Sequence, residues 1–398
     1  LIANGLYWVE NFHADGLRLS GLSSMLYMDY GKNDGQWVPN MYGGSENLEA
    51  VEFIKHFNSI LHKTYPGVMT IAKETSAWPK ITESLEQDGL GFDYAWNTGF
   101  INDMVSYLKK PYEERLSSLN DLTFSMVYAY SENYILPVSH NEVYRNGGSL
   151  LDCIQMDKKS KKALLRALYA YLMCHPGKKM LYMNQEVDEL MCVMNSLYKE
   201  LPALHDMDNN ALGFEWNNCI DHNDGTLSFY RKTANLNDTL LVVANFSKEK
   251  YVNFKLGISE EGKYTEIFNS NMKSAGGSYT INKSEIATNE EYYDGRNNTL
   301  ELTLEPHSIA IYSYKPFTKE ELLAIAERKV ELIRAQLEKE ALEKAENIQK
   351  MTLKENLESK VNEAQEKISK GMEAEKEVKV IRKTTSAKKS SKVSKTKK

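Results

Sequence analysis

Three short segments hold the side chains best suited to chemistry. Asp15–Leu22 reads DGLRLSGL, Ala72–Thr75 reads AKET, and Ser139–Val143 reads SHNEV. In the first, Arg18 stands two residues before Ser20, so on a strand both side chains point to one face. A serine hydroxyl is a poor nucleophile without an adjacent base, and the neighbouring arginine stays protonated. In the second, Lys73 stands where acid–base exchange would be needed, and an ordinary lysine, with a pKa of about 10.4, is ill suited to that near neutral pH. Glu74 follows it directly. Adjacent strand residues face opposite sides, so Glu74 takes the place of Lys73 only through a local bulge. In the third, His140 and Asn141 can hydrogen-bond hydroxyls, but Asn141 supplies no negative charge.

Metal and thiol chemistry find no support. Cys153, Cys174, Cys192 and Cys219 form no CxxC pair, and the nearest histidines complete no zinc pattern. Neither a metal nor a cofactor is expected. Four thiols in 398 residues read as reduced, buried and intracellular, and cytoplasmic localisation is expected. No run of 18 or so uncharged apolar residues marks a membrane span. Nine Lys/Arg and no acid lie in residues 379–398, so the rest of the chain carries 55 acids against 40 bases. A body that acidic does not suit nucleic acid, and any such role would belong to the tail.

The elements that must position these segments follow from hydrophobic period. Residues 1 to about 205 alternate helical stretches (Asn47–His62, Ile101–Leu108, Lys158–Met173) with short apolar runs. Those runs are Gly16–Ser20, Val68–Lys73, Tyr134–His140 and Lys179–Met183, a pattern that predicts a parallel sheet covered by helices. From about 206 to 316 the runs Leu227–Arg231, Leu240–Asn245, Tyr264–Phe268, Thr299–Leu304 and Ile309–Tyr314 predict an antiparallel sandwich. Residues 317–378 hold Gly371 as their one glycine after Pro316 and predict a charged amphipathic helix. Leu323, Ala326, Val330, Ile333 and Leu337 keep a heptad rhythm that breaks at Glu340 and Lys344. Residues 379–398, rich in Ser, Thr and Lys, are expected to be a disordered basic tail.

Longer motifs carry a resemblance. LIANGLYWVENFHADGLRLSGLSSM (Leu1–Met25), WVPNMYGGSEN (Trp37–Asn47), MTIAKETSAWP (Met69–Pro79) and LGFDYAWN (Leu90–Asn97) occur in order. LTFSMVYAYSENYILPVSHNEV (Leu122–Val143) and HPGKKMLYMNQE (His175–Glu186) follow. Together they resemble bacterial 1,4-α-glucan (glycogen) branching enzymes of the α-amylase superfamily, over residues 1 to about 316. The resemblance implies the C-terminal half of an eight-fold β/α barrel, strands four to eight, over 1–205. An all-β domain over 206–316 follows it. It also implies that the chain starts at the helix before barrel strand four, without the first three strands and the N-terminal glucan-binding modules.

Glucan branching in that family is a retaining glycosyl transfer, with one carboxylate as nucleophile, a second as acid/base and a third on sugar hydroxyls. The family motif DALRVDAV reads DGLRLSGL here, which puts Ser20 at the nucleophile. AEES reads AKET, with Lys73 at the acid/base. SHDEV reads SHNEV, with Asn141 at the third carboxylate. Arg18 and His140 match family residues that contact sugar; in the plainer reading they only satisfy buried hydrogen bonds. Asn184 and the run Arg145-Asn146-Gly147 also depart from the family pattern. Trp37, Trp78 and Trp96 could stack on glucose, though core packing is the commoner use of such residues. His56 and His62 read as helix-surface residues, Glu142 as a strand-end ion-pair partner.

The sequence therefore predicts a branching-enzyme-like protein of glycogen metabolism without catalysis, binding α-1,4-glucan or a protein partner. Two alternatives stand beside it. One is a working branching enzyme completed by a missing N-terminal part or a companion chain that supplies the other barrel half. The other is an interaction protein acting through its helix and basic tail.

Overall fold

The computed structural model describes residues 1–76, 78–141, 148–183, 187–218, 224–235 and 238–390, with backbone only for 384–390. The chain divides into two compact units, 1–317 and 318–398.

The first unit opens with α1 (Ile2–Phe12), β1 (Gly16–Ser20), α2 (Leu22–Leu26) and α3 (Leu48–Thr64). β2 (Met69–Lys73), β3 (Tyr94–Trp96) and α4 (Thr98–Lys109) come next. After the short α5 (Tyr112–Leu116) and α6 (Asn120–Thr123) come β4 (Tyr134–Val138), α7 (Lys158–Cys174), β5 (Lys178–Leu181) and α8 (Asp188–Glu200). β1 to β5 pair in chain order, all parallel, as an open partial barrel. Side-chain caps begin the helices where the sequence supplies them. Asn47 accepts from Ala50 N, Asn97 from Phe100 N, and Asp157 from Lys159 N and Ser160 N. α3 buries Ile54, Phe57, Asn58 and Leu61, a three-and-four rhythm that sets one face on the sheet. Asn58 is buried with its amide nitrogen donating to Leu90 O at 2.8 Å. Gly177 enters β5 at φ +105°, where a Cβ would also stand 3.1 Å from Tyr134 O.

The second half of this unit is antiparallel. β6 (Phe214–Asn218), β7 (Thr226–Arg231), β8 (Leu240–Asn245), β10 (Lys263–Asn269), β11 (Glu285–Ala287) and β13 (Ser308–Lys315) form one sheet in the order β11-β10-β13-β8-β7-β6. β9 (Tyr251–Ile258) pairs with β12 (Asn298–Leu304). β8 is buried on both faces. Leu241 and Val243 point into a core shared with Leu256 and Leu302, while Leu240, Val242 and Ala244 join a larger core with Leu164, Leu168 and Phe100. The larger core thus runs from α4, β4 and α7 into the antiparallel sheet, while β1 to β3 pack with α1 to α3 on smaller cores of their own. Arg231, fully buried, also ties the parallel and antiparallel regions: Nη1 donates to Cys174 O at 2.7 Å and Nη2 to Asp208 Oδ1 at 2.8 Å.

The second unit is α9 (Lys319–Ser390). It runs past 378, where the basic tail was expected to begin, because no proline or glycine follows Gly371 to stop it. Two thiol expectations change as well. Cys174 is buried, but Cys192, on α8, is exposed and Cys153, in the turn before α7, is half-buried; Cys219 lies outside the described residues. No helix among the described residues is long and apolar enough to cross a membrane.

Candidate functional site

Parallel pairing brings the singled-out positions to one end of the sheet. Ser20 is the last residue of β1 and pairs in register with Lys73, the last residue of β2; Arg18 pairs with Ile71. Ala72 pairs with Ala95, so one step on, Lys73 stands level with Trp96, the last residue of β3. Asn141 follows the end of β4 after Ser139 and His140, and its backbone N–H donates to Ser139 Oγ at 3.3 Å. All three family positions therefore sit at C-terminal strand ends, the place where β/α barrels carry their chemistry. Ala72 and Ala95 turn to the helix-covered core with Leu22 and Ile54, which leaves Arg18, Ser20, Lys73 and Trp96 on the other face.

On that face two cations meet one ring. The Arg18 guanidinium lies 4.5 Å, and the Lys73 ammonium 5.5 Å, from the centroid of Trp96. Trp96 is 4 % exposed and serves as a platform for cations instead of an open stacking surface. Ser20 and Arg18 are exposed, and the His140 ring, also exposed, lies 5.9 Å from the Tyr182 ring.

Glu74 takes no part on this face. Its Oε1 accepts from Ser23 Oγ and Ser76 N, both at 2.6 Å, and from Ser76 Oγ; Oε2 accepts from Trp78 N at 3.1 Å. Burial pushes its pKa up, but the hydrogen bonds from Ser23 and Ser76 outweigh this and hold it below the usual carboxylate range. A carboxylate tied this way is a structural anchor for the turn after β2. It has neither the raised pKa nor the position of a general acid.

A groove of about 470 Å³ that shares no residue with the cluster lies against α3, on the helix-covered side of the sheet, lined by Asn40, Tyr42, Glu46, Lys55, Trp78 and Asp88 among others. Tyr42 is 80 % exposed, and Trp78 is half-buried with its ring edge-on to Tyr27 at 5.1 Å. Aromatic faces beside hydrogen-bonding side chains suit a sugar chain. Trp37 is half-buried and His56 exposed. His62, part-exposed on α3, also bridges that helix to the loop before β3, with Nε2 3.0 Å from Asp93 Oδ2. Glu142, Arg145-Asn146-Gly147, Asn184 and Glu186 lie outside the described residues. No group of three metal-ligating side chains occurs among the described residues.

Two features were hidden from the sequence. The Arg18–Trp96–Lys73 stack joins three strands and has no local signature. The Ser23–Glu74 bond joins residues 51 apart. An acid directly after a strand, followed by Thr75-Ser76, was the available cue for a self-capping turn.

The α-amylase C-terminal all-beta domain family matches residues 216–315. The chain is 39 % identical over 340 residues to the 1,4-alpha-glucan branching enzyme of Butyrivibrio fibrisolvens, covering 79 % of this chain and 53 % of that protein. It is 39 % identical over 343 residues to the branching enzyme of Corynebacterium diphtheriae, covering 79 % and 47 %. A solved Anoxybacillus alpha-amylase matches with TM-score 0.46 and 14 % identity, over 80 % of this chain and 62 % of that one. The chain spans about half the length of the curated relatives it matches. By sequence, it is a relative of the bacterial 1,4-α-glucan branching enzymes, within the α-amylase superfamily.

Proposed function

We propose that this chain is a non-catalytic, branching-enzyme-like protein of glycogen metabolism that binds α-1,4-glucan, acting in the cytoplasm. The observation that carries this is the pairing of Ser20 with Lys73 at the strand ends. Retaining transfer needs two carboxyl groups about 5 Å apart there. A hydroxyl and an ammonium provide neither a charged nucleophile nor a proton donor of suitable pKa. Glu74, the nearest acid in sequence, is held by Ser23 and Ser76. The groove with Tyr42 and Trp78 supports glucan binding without chemistry.

Incubation with amylose, followed by debranching and chain-length analysis, tests the first half. No new α-1,6 branches are expected above a protein-free control, and their appearance would sink the reading. Affinity electrophoresis in amylose tests the second half: retardation is expected, with Trp78→Ala reducing it. Unretarded migration would leave the interaction-protein alternative, working through α9 and the basic residues after it.

A second reading has its own observation. β1 and β5 each pair on one side only among the described residues. Open strand edges invite further strands, which supports a companion polypeptide supplying the rest of a barrel.

A further inference from the structure

α9 lies outside the matched domain at 216–315, and the glucan reading makes no use of it. Its described side chains are exposed almost throughout, yet they include an apolar stripe. Leu323, Val330, Ile333, Leu337 and Ile348 are 57–65 % exposed, a contiguous apolar surface of the kind that marks an interaction site. The heptad rhythm that breaks at Glu340 and Lys344 resumes one residue on, at Ala341, Ala345 and Ile348. Such a stutter unwinds a supercoil locally and leaves its seam continuous. At about 100° per residue, the stripe from Leu323 to Ile348 keeps within about 60° of one line. Leu353, five residues past Ile348, is turned about 140° from it, so this seam does not continue into the second half of the helix.

The stripe reads almost alike from either end. Its intervals, 3-4-3-4-4-4-3, reverse to 3-4-4-4-3-4-3. Laid antiparallel on a second copy, Leu323 meets the partner's Ile348, Ala326 the partner's Ala345, Val330 the partner's Ala341, and Ile333 the partner's Leu337. Every layer is apolar. Each occurs twice, about a two-fold axis near residue 335, as a contact between identical surfaces requires.

Charges beside the stripe select the same arrangement. With Leu323 and Val330 at heptad position a, Lys329 falls at g and Arg334 at e. A parallel pair would set Lys329 against the partner's Arg334, two like charges. In an antiparallel pair each flank of the seam meets the same flank of the other copy. Arg334 then stands beside the partner's Glu338, and Lys329 beside the partner's Glu340, each within two residues of the apolar register. Both contacts join opposite charges, and symmetry repeats them.

We propose that α9 is a dimerisation helix, pairing antiparallel with α9 of a second copy of this chain over residues 323–348. A partner of different sequence would have to match a stripe that already matches itself.

The test mixes full chains of natural isotope composition with equal amounts of nitrogen-15 chains, joins lysines to carboxylates by a zero-length carbodiimide reaction, and identifies the crosslinked peptides by mass. A Lys329–Glu340 crosslink between one light and one heavy chain is expected. Within one helix these residues are about 16 Å apart along the axis, too far for that reaction. Ile333→Asp with Leu337→Asp places charges in the seam and should lower the mixed crosslink at least about tenfold. Should that variant lose its helix by circular dichroism, a charge exchange decides instead. Arg334→Glu alone and Glu338→Arg alone set like charges opposite one another and should each give less crosslink than the natural chain. A mixture of the two variants restores both attractions and should recover it, in light–heavy pairs only. The proposal is overturned by any of four results: Lys329 crosslinks confined to chains of like isotope, mixed crosslinks from Lys329 to Glu331 as parallel pairing would give, mixed crosslinks from Lys329 only to residues 1–317, or a yield indifferent to these substitutions.

Discussion

Ser20 and Lys73 are register partners, so replacing either alters the charge felt by the other. Ser20→Asp would set a carboxylate against Arg18 and Lys73, and both cations would hold it ionised. Lys73→Glu in the same chain would add an acid whose pKa the new aspartate raises, as an acid/base requires. With Asn141→Asp the charged set is complete. We nonetheless expect the triple variant to form no α-1,6 branches, because a five-stranded open sheet leaves one side of the site to water. Branching of amylose by this 398-residue variant would refute that. Glu74 belongs to a separate account. Glu74→Gln removes the charge from the group that Ser23, Ser76 and Trp78 contact, and should cost about 1.5–3 kcal/mol of stability, seen as a lower denaturant midpoint. A neutral effect would mean those bonds contribute little.

At the scale of elements, the junction of α7 with β5 is pH-sensitive. His175 is 1 % exposed, with Nε2 2.9 Å from Ser125 Oγ and Nδ1 2.8 Å from Pro176 O. Burial pushes its pKa down to about 3, so the folded ring stays neutral while the unfolded one takes a proton below about 6.5. Its stabilising contribution is complete above about pH 6.5 and is lost as pH falls toward 3, by about 1.4 kcal/mol per pH unit. His307 acts with the same sign down to about pH 4. Melting temperature should fall steadily from pH 7 to pH 5, before carboxylates titrate, and the slope should be shallower in His175→Gln. A flat profile would show that these rings are solvated in the native state. Elements of this kind were legible in the sequence where they are long and apolar: α3, α7, β8 and β13 follow their periodic runs closely. β3 and β11, three residues each, are too short to show a period, and β6, reading FEWNN, is too polar. The positions of Ser20, Lys73 and Asn141 at strand ends were legible from motifs. The cation stack on Trp96 and the tie of Glu74 to Ser23 were not, because both depend on which strands and loops become neighbours.

At the scale of the whole molecule, the unit 1–317 combines two opposed tendencies. Its interior is continuous from α4 through α7 into β8 and β13, which favours a cooperative body. Its parallel sheet, however, ends at β1 on one side and β5 on the other, each short and each with one edge unpaired among the described residues. Short strands limit edge pairing, but the face carrying Arg18 and Ser20 is open too, and Val38, Met41 and Tyr42 add exposed apolar surface on the loop after α2. Backbone groups and apolar side chains exposed together favour association over a free monomer. We therefore expect the segment Leu1–Phe317 to elute above monomer mass in size exclusion with light scattering, and dilution to shift it toward monomer with a lower melting temperature. A compact, monodisperse monomer whose sharp transition is independent of concentration would show that the sheet edges are closed by the chain itself.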